Sequence, residues 1–302
     1  MQKIVPHIWF DKGAEDAAAF YAEVFDDARV VGVSSYPDAG QENHGQPAGS
    51  PMTVEFEIAG FTFLAINAGP VFTLNPMISF LVNFNPSKND DAVGELNRHF
   101  AALSEGGKVL MELGEYPFSK HYSWIEDRYG VSWQLMLTDE TADHRPFINP
   151  QLMFANDNVN RAEEAIEFYT SIFDDSRIGA VSRYPDDMQM VKAGAVGFAD
   201  FQLADIWFSA IDSPVPHGFD FNEGVSLLVN CDTQEEIDRY WSQLSAVPEA
   251  EQCGWLKDRF GVSWQIVPQN MWEIMASDDP ERIKRNFEAM MHMKKIDMSK
   301  FD

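Results

Sequence analysis

Histidine and cysteine are the residues of this chain whose side chains could ligate a metal ion or act as nucleophiles. The chain has seven histidines and two cysteines, Cys231 and Cys253. No two histidines lie four residues apart, the spacing that puts two zinc ligands on one face of a helix. Two cysteines are too few for a cysteine zinc site or a disulfide framework. These residues therefore predict neither a zinc site nor a disulfide scaffold.

Three of these residues have a local context that suggests a role. His7 lies in a predicted strand, where we expect a hydrogen-bonded structural histidine rather than a ligand, and His121, beside Tyr122, could face a cleft. Cys253 precedes a predicted strand. A reactive thiolate needs nearby cations or a helix N-terminus, and a nucleophile also needs a base. Neither is evident, so we expect Cys253 to be structural or to line a cleft.

An eight-residue stretch, here called the octapeptide, occurs twice. Residues 127–134 are Asp-Arg-Tyr-Gly-Val-Ser-Trp-Gln, and residues 258–265 differ from them only by Phe in place of Tyr. Repetition at this separation indicates a duplicated domain, because solenoid repeats are much shorter. In each copy the first four residues favour a tight turn, and the residues after the glycine favour a strand.

The rest of the chain repeats around the octapeptide. Apolar spacing predicts a strand over residues 4–10, a helix from residue 13, and strands over 28–36, 52–58 and 61–67. The order strand, helix and three strands restarts at residue 77, and the second half of the chain repeats it. Polar residues with two prolines over 139–150 indicate a linker. We therefore predict domains over 1–143 and 149–269, followed by a helical tail over 270–302.

The tail carries one apolar stripe. Ile283, Phe287, Met290 and Met291 are spaced as on one face of a helix, whose N-cap is predicted at Ser277 or Asp278. We expect this stripe to pack on the body of the protein. A dimer contact is the alternative.

Composition limits the classes of partner. The 302 residues suit about two domains and are 45% hydrophobic, which is enough for packed cores. A net charge of −26 argues against nucleic acid and against anionic membrane surfaces. No apolar run reaches the length of a membrane span, and the first residues lack a signal-peptide core. A cytoplasmic protein with reduced thiols is expected.

Several motifs resemble the vicinal oxygen chelate superfamily, which includes glyoxalase I, extradiol dioxygenases and bleomycin-resistance proteins. They are Phe20-Tyr21 and Phe168-Tyr169 in the helices, the octapeptide turns, and Cys-Gly-Trp-Leu-Lys-Asp over 253–258. The octapeptide is similar to the PhnB-like branch, often labelled 3-demethylubiquinone-9 3-methyltransferase. The resemblance implies an α+β fold of tandem domains. Each domain would be two paired βαβββ modules forming an open curved sheet around a cleft.

The resemblance also implies an assembly and a metal site that can be compared with this chain. Each half would form one cleft, giving a monomeric pseudo-dimer or a homodimer. Metal-dependent members hold a divalent ion with His, His or Gln, and Glu. Amides replace the carboxylate here, and methionine and glycine offer no ligand for a hard cation. No cofactor is therefore expected, with a divalent metal as the alternative. The matched positions are Pro6 or His7, Met77 and Gln134 in the first domain, and Pro150 or Gln151, Gly224 and Gln265 in the second.

The methyltransferase label predicts a nucleotide-type cofactor, which needs a glycine-rich turn between a strand and a helix. The nearest candidate, residues 108–114, has one glycine and no helix signal after it. The sequence does not support S-adenosylmethionine binding.

The resemblance places a set of largely aromatic residues, with one amide in each domain, on strands that flank the clefts. Aromatic faces with an amide suit a planar small molecule, although tryptophans also pack in cores. The sequence thus predicts a metal-independent small-molecule binder and leaves open whether it catalyses a reaction. A metal-dependent lyase, isomerase or oxygenase with a non-standard site, and an interaction protein, are the alternatives. The predicted ligand-binding residues are Trp9, Phe80, Tyr122, Trp124 and Gln134 in the first domain, and Met153, Leu227, Cys253, Trp255 and Gln265 in the second.

Overall fold

A computed structural model describes residues 1–38, 40–41, 45–139, 145–275 and 279–302. These residues form fifteen strands and four α-helices in four successive modules, followed by two α-helices in the tail. The first module is β1 (Ile4–Phe10), α1 (Ala14–Val24), β2 (Ala28–Ser35), β3 (Pro51–Ile58) and β4 (Phe61–Asn67). The second is β5 (Ile78–Phe84), α2 (Ala92–Ser104), β6 (Lys108–Tyr116), β7 (Ser119–Glu126) and β8 (Ser132–Leu137).

The second half repeats this order and adds the tail. The third module is β9 (Ile148–Phe154), α3 (Ala162–Ile172), β10 (Arg177–Arg183), β11 (Val196–Leu203) and β12 (Ile206–Asp212). The fourth is shorter, with β13 (Val225–Cys231), α4 (Gln234–Leu244), β14 (Trp255–Lys257) and β15 (Ser263–Pro268). The tail contains α5 (Met271–Met275) and α6 (Pro280–Met291). No helix within the described ranges is both long and apolar enough to cross a membrane.

The strands form two sheets, each built from two modules. One sheet has the order β14-β15-β13-β1-β4-β3-β2, and the other has the order β10-β11-β12-β9-β5-β8-β7-β6. The α+β class is as predicted, and so is the construction of each sheet from two modules. The chain separates into a first unit of residues 1–20, 29–73 and 221–302 and a second unit of residues 21–28 and 74–220.

The choice of partner modules corrects one expectation. Each half of the chain was expected to close its own sheet, but the first module pairs with the fourth, and the second with the third. β1 runs antiparallel to β13, with Ile4 opposite Val229, and β5 runs antiparallel to β9, with Ile78 opposite Leu152. A sequence repeat identifies equivalent modules but does not state which two of them share a sheet.

The strand bounds follow local sequence closely where turn residues are clear. The predicted bounds of β1 and β4 agree with the structure. Between β3 and β4 the chain reverses at Ala59 and Gly60, with φ of 51° and 75°. Two consecutive positive φ angles match the right-handed twist of a tight hairpin.

The octapeptide builds a buried turn. Asp127 Oδ1 accepts hydrogen bonds from the backbone N–H groups of Tyr129 (2.8 Å) and Val131 (3.0 Å). Its Oδ2 accepts from Nε1 of Trp133 and the hydroxyl of Tyr21, both at 2.8 Å. Burial raises the pKa of the Asp127 carboxyl, and these hydrogen bonds oppose that rise. The repeated aspartate and tryptophan therefore fix the strand after the turn.

The second octapeptide repeats these bonds in the first unit. Asp258 accepts hydrogen bonds from the N–H groups of Phe260 and Val262 and from Nε1 of Trp264, at 2.8 Å, 3.1 Å and 2.9 Å. Gly261, between them, has a φ of 85°, which only glycine adopts without strain.

The two faces of each sheet differ. Trp133 and Trp264 are fully buried, and Tyr21 of α1 packs edge-on against Trp133 at 5.2 Å. These tryptophans therefore lie on the face that the helices cover. Side chains alternate along a strand, so Gln134 and Gln265 lie on the opposite face, here called the cleft face.

The tail packs on the first unit. Phe287 is buried, Nδ2 of Asn286 donates to the carbonyl of Ile274 at 2.9 Å, and Sγ of Cys253 lies 3.8 Å from Sδ of Met291. Asp279 caps α6 by accepting from the N–H of Glu281. The predicted caps, Ser277 and Asp278, lie outside the described residues.

Candidate ligand-binding site

Strand register brings equivalent residues together on the two cleft faces. In the first unit, His7 lies opposite Leu64 and Ser226. In the second unit, Gln151 lies opposite Ser209 and Ser79. The equivalent pairs are therefore His7 and Gln151, Leu64 and Ser209, Ser226 and Ser79, and Gln265 and Gln134.

A neutral hydrogen-bonded network covers this position in the second unit. The hydroxyl of Tyr122 donates to Oε1 of Gln134 at 2.6 Å, and Nε2 of Gln134 donates to Oγ of Ser79 at 2.7 Å. Oγ of Ser209 donates to Oε1 of Gln151 at 3.1 Å. Burial raises the pKa of Tyr122, so its phenol remains a donor at neutral pH. The network therefore offers hydroxyl and amide groups without a net charge.

A cavity of about 520 Å³ opens beside this network in the second unit. This volume is within the range of pockets that enclose a small organic molecule. Ten of its lining residues are apolar or aromatic, six are amide or hydroxyl residues, and five are charged, namely Lys88, Glu95, Asp139, Arg145 and Asp200. On the strands it is lined by Leu81, Asn83, Met136, Asn149, Ala180, Phe198, Trp207 and Ser209.

An ion pair stiffens one wall of the cavity. Nε of Arg145 lies 2.8 Å from Oδ2 of Asp200, and the guanidinium carbon lies 4.0 Å from the centre of the Trp207 ring. Oδ1 of Asp200 accepts from the N–H of Ala180 at 2.7 Å. The stacked guanidinium holds the indole as a flat surface, and the carboxylate balances its charge.

Phe118 lines the cavity from the turn between β6 and β7. Its side chain is 61% exposed, and its ring lies 4.9 Å from the ring of Tyr122 in an edge-on arrangement. The cavity thus has an exposed aromatic side chain at one border and the Trp207 indole on another wall.

The equivalent position in the first unit is more apolar. His7 is 4% exposed, and its Nδ1 has no hydrogen-bond partner among the described residues. Leu64 takes the place of Ser209, so the hydroxyl that serves Gln151 has no counterpart. Burial lowers the pKa of His7 to about 4, so the imidazole is neutral at pH 7. Nε2 of Gln265 still donates to Oγ of Ser226, at 2.9 Å.

Two predicted aromatic residues of the first unit meet on its cleft face. The rings of Trp9 and Trp255 lie 6.0 Å apart, and the rings of His7 and Trp255 lie 5.7 Å apart, both edge-on. Nε1 of Trp9 donates to the carbonyl of Gly69 at 2.8 Å. The structure therefore brings Trp9, Trp255 and Gln265 to one face.

Tyr122, Trp124, Gln134 and Met153 lie on the cleft face of the second unit. Trp124 is paired with Gln134 across β7 and β8, and its Nε1 donates to Oγ of Ser132 at 2.8 Å. Met153 lies two residues beyond Gln151 on the same face of β9. Because the first module pairs with the fourth, Trp9 belongs to the first unit. The set of residues predicted for the first domain is therefore divided between the two units.

Phe80 and Leu227 face the helices rather than the cleft. Phe80 packs against Trp133 at 5.4 Å, and Leu227 is paired with Trp264 in β15. Both are fully buried. The next residues along these strands, Leu81 and Leu228, face the cleft.

Cys253 lies in a turn at the start of the fourth module's second strand. Its φ of 53° places it in the left-handed region, and its N–H donates to the carbonyl of Met293 at 2.8 Å. Burial raises the pKa of its thiol to about 11. The thiol is therefore protonated at neutral pH and lies under the tail.

None of the predicted ligand-binding residues lines the cavity, although the sequence carried a signal for its polar residues. Ser79 and Asn83 are the polar residues of the otherwise apolar strand β5, and they share a face with Leu81. Asn149 and Gln151 stand out in β9 in the same way. Polar residues at even spacing in a buried strand indicate a face that carries a hydrogen-bonded site.

The residues at these positions do not fit a divalent cation. Within the described ranges, no group of three or more His, Cys, Asp or Glu side chains could hold a metal ion. In place of Met77 and Gly224, the register puts Ser79 and Ser226 beside Gln151 and His7. The first unit thus offers one imidazole, one amide and one hydroxyl, a set without a carboxylate.

Comparison with known proteins identifies both the family and the fold. A family model described as 3-demethylubiquinone-9 3-methyltransferase matches residues 2–136 and 146–267. A PhnB protein from Bacillus cereus is 34% identical over 45% of this chain and 100% of its own chain, with a TM-score of 0.39. Glyoxalase I from Zea mays is 13% identical over 90% of this chain and 94% of its own, with a TM-score of 0.50, which is a likeness of fold alone. No curated protein matches significantly.

Proposed function

Because this chain belongs to the 3-demethylubiquinone-9 3-methyltransferase family, the PhnB-like branch of the vicinal oxygen chelate superfamily, we propose that it binds a small molecule without a metal ion. The ligand enters the cavity of the second unit. The observation that carries this proposal is the cavity of about 520 Å³, whose lining residues Asn149 and Ser209 belong to a neutral network of amides and hydroxyls.

The cavity walls define the kind of ligand. A planar apolar body suits the indole of Trp207 and the side chains of Leu81 and Met136. Asn83 donates through Nδ2 to Asn149 and to the carbonyl of Pro146, at 3.1 Å and 2.9 Å. Its Oδ1 accepts no hydrogen bond from the described residues and is available to a donor on the ligand. The ligand is therefore planar, apolar over most of its surface, and carries at least one hydrogen-bond donor.

The methyltransferase activity named in the family description is not part of this proposal. The candidate segment for a nucleotide-type cofactor is strand β6, which turns into strand β7 rather than into a helix. Because a strand and not a helix follows β6, this segment provides no helix N-terminus to hold a cofactor phosphate or carboxylate. These residues do not fit such a cofactor.

Adjacent tryptophan substitutions on strand β10 test the proposal. Ala180 lines the cavity, whereas Val181 points to the opposite face and is 40% exposed. We expect Ala180→Trp to weaken binding of the neutral aromatic probe N-phenyl-1-naphthylamine at least ~10-fold, because a lost cavity removes most of the buried contact area. Val181→Trp is the matched control and should bind like the parent. Fluorescence titration measures both.

Two results would contradict the proposal. One is equal probe binding by the parent, Ala180→Trp and Val181→Trp. The other is stoichiometric divalent metal in the purified protein by elemental analysis, which would favour the metal-dependent alternative. Native mass spectrometry of the purified protein would then identify any small molecule that it retains.

A further inference from the structure

We infer that the first unit carries a second small-molecule site, equivalent to the cavity of the second unit, and that helix α5 of the same chain occupies it. The expected ligand class rests on the proposed function. The occupation of the site by α5 does not, because it follows from strand register and packing.

The register matches the two sites residue by residue. In the second unit, Leu81 lies opposite Gln134 on one side and opposite Asn149 on the other. In the first unit, Leu228 lies opposite Gln265 and Val5 in the same way. The four cavity residues Leu81, Met136, Asn149 and Ser209 therefore correspond to Leu228, Val267, Val5 and Leu64.

Met271 fills this equivalent space. Val5, Leu228 and Val267 form a buried apolar cluster, and the partly buried Leu64 and Met271 pack against it. The equivalents of Leu81, Met136 and Asn149 thus form the cluster that receives the first side chain of α5, and the equivalent of Ser209 packs against the same cluster.

Trp272 covers the equivalent of the cavity's edge wall. Ala180 and Gly32 each lie four residues before the tyrosine of a Tyr-Pro-Asp motif, so the two positions correspond. Cζ2 of Trp272 lies 3.6 Å from the place of a Cβ at Gly32. The indole ring therefore packs within van der Waals reach of this position.

The side chains of the two sites suit their different contents. Asn149 and Ser209 present an amide and a hydroxyl to the cavity, whereas Val5 and Leu64 present only apolar atoms to Met271. An apolar lining favours an apolar occupant, because a buried polar group without a partner is unfavourable.

The contact is small enough for a ligand to compete with it. Helix α5 has five residues, and Trp272 is still 41% exposed. Nδ1 of His7, which lacks a partner among the described residues, is two residues along β1 from Val5, a separation of ~7 Å. The competing ligand therefore has a flat apolar body and a polar group that hydrogen-bonds to an imidazole.

Removing the two side chains of α5 in the full chain tests this inference. We expect Met271→Ala/Trp272→Ala to bind one more N-phenyl-1-naphthylamine per chain than the parent, measured by fluorescence titration to saturation. Adding Leu64→Trp, which refills the first site, should abolish the gain. Glu273→Ala, an exposed change on the same helix, is the control and should leave the stoichiometry unchanged.

A folded double variant with the stoichiometry of the parent would overturn the inference. Thermal unfolding followed by circular dichroism establishes whether the variant is folded. If it is not, Met271→Ala alone provides the test, because it removes the side chain that fills the site and Met271 is only partly buried. A parent that binds no probe, together with a double variant that binds one, would refute the proposed function while supporting this second site.

Discussion

The cleft faces of the two units share one arrangement of strands and differ in a few side chains. In the second unit, Ser209 and Asn149 belong to a hydrogen-bonded network beside a cavity. In the first unit, the equivalent Leu64 and Val5 pack with Met271. The comparison shows that a duplicated framework can keep an open polar site in one copy and an apolar, covered site in the other.

The units are most alike at the octapeptide turns, so the same substitution should have a similar effect in both. Asp127→Ala and Asp258→Ala each leave buried N–H donors without an acceptor. We expect each to lower the free energy of unfolding by about 3–5 kcal/mol, because several buried donors lose their charged acceptor at once. Urea denaturation measures both. A loss of less than ~1 kcal/mol in the free energy of unfolding for either variant would show that the two turns do not stabilise their units equally.

Because His7 can be protonated and the equivalent Gln151 cannot, the free energy of unfolding should depend on pH through the first site and not through the second. Because burial holds the pKa of His7 at about 4 when folded, against 6.5 as its usual value, the unfolded chain binds the proton first as pH falls. The neutral histidine contributes its full stability above pH ~6.5 and loses it towards pH 4. Between pH 7 and pH 4.5 the parent should lose about 2–3 kcal/mol more than His7→Gln. Parallel pH dependences from urea denaturation would refute this difference.

The smallest expected difference between the units is in how much one ion pair on each sheet contributes to the free energy of unfolding. Arg145 and Asp200 are 21% and 12% exposed, whereas Arg29 and Glu57 are 72% and 25% exposed. We expect Asp200→Asn to cost about 1–2 kcal/mol of unfolding free energy and Glu57→Gln less than about 0.5 kcal/mol. Thermal unfolding of the two variants and the parent measures these losses. Repeating the measurements in 1 M NaCl checks the cause, because salt screens the exposed pair more strongly. Equal losses of unfolding free energy in the two variants would mean that the ion pair of Arg145 stabilises the protein no more than an exposed ion pair does.

The local parts of the fold could be predicted from the sequence because they depend on local rules. β1 and β4 were placed correctly, since β-branched and aromatic residues are bounded by clear turn residues. The repeat predicted tandem modules because the repeated motifs are also local features of the sequence. The partner of each module could not be predicted, because the pairing of β1 with β13 depends on contacts far apart in sequence.

The orientation of the central strands explains the misplaced site residues. Every residue of β5 is buried, so burial does not distinguish its two faces, and only the polar Ser79 and Asn83 mark the face that Leu81 shares. Phe80 was therefore predicted on the cleft face instead of Leu81. The ligand-binding roles of the remaining predicted residues, such as Gln134 and Gln265, stay predictions.

The pairing of the first module with the fourth also sets an order of assembly during synthesis. Strand β1 needs β13, with Ile4 opposite Val229, whereas β5 finds β9 much sooner, with Ile78 opposite Leu152. Contacts between distant parts of a chain form slowly, and an unpaired strand edge is prone to aggregation. A nascent chain that has emerged as far as residue 220 can complete the sheet of the second unit. The edge of β1 that pairs with β13 stays unpaired until β13 has been synthesised, and it is exposed to aggregation during that interval.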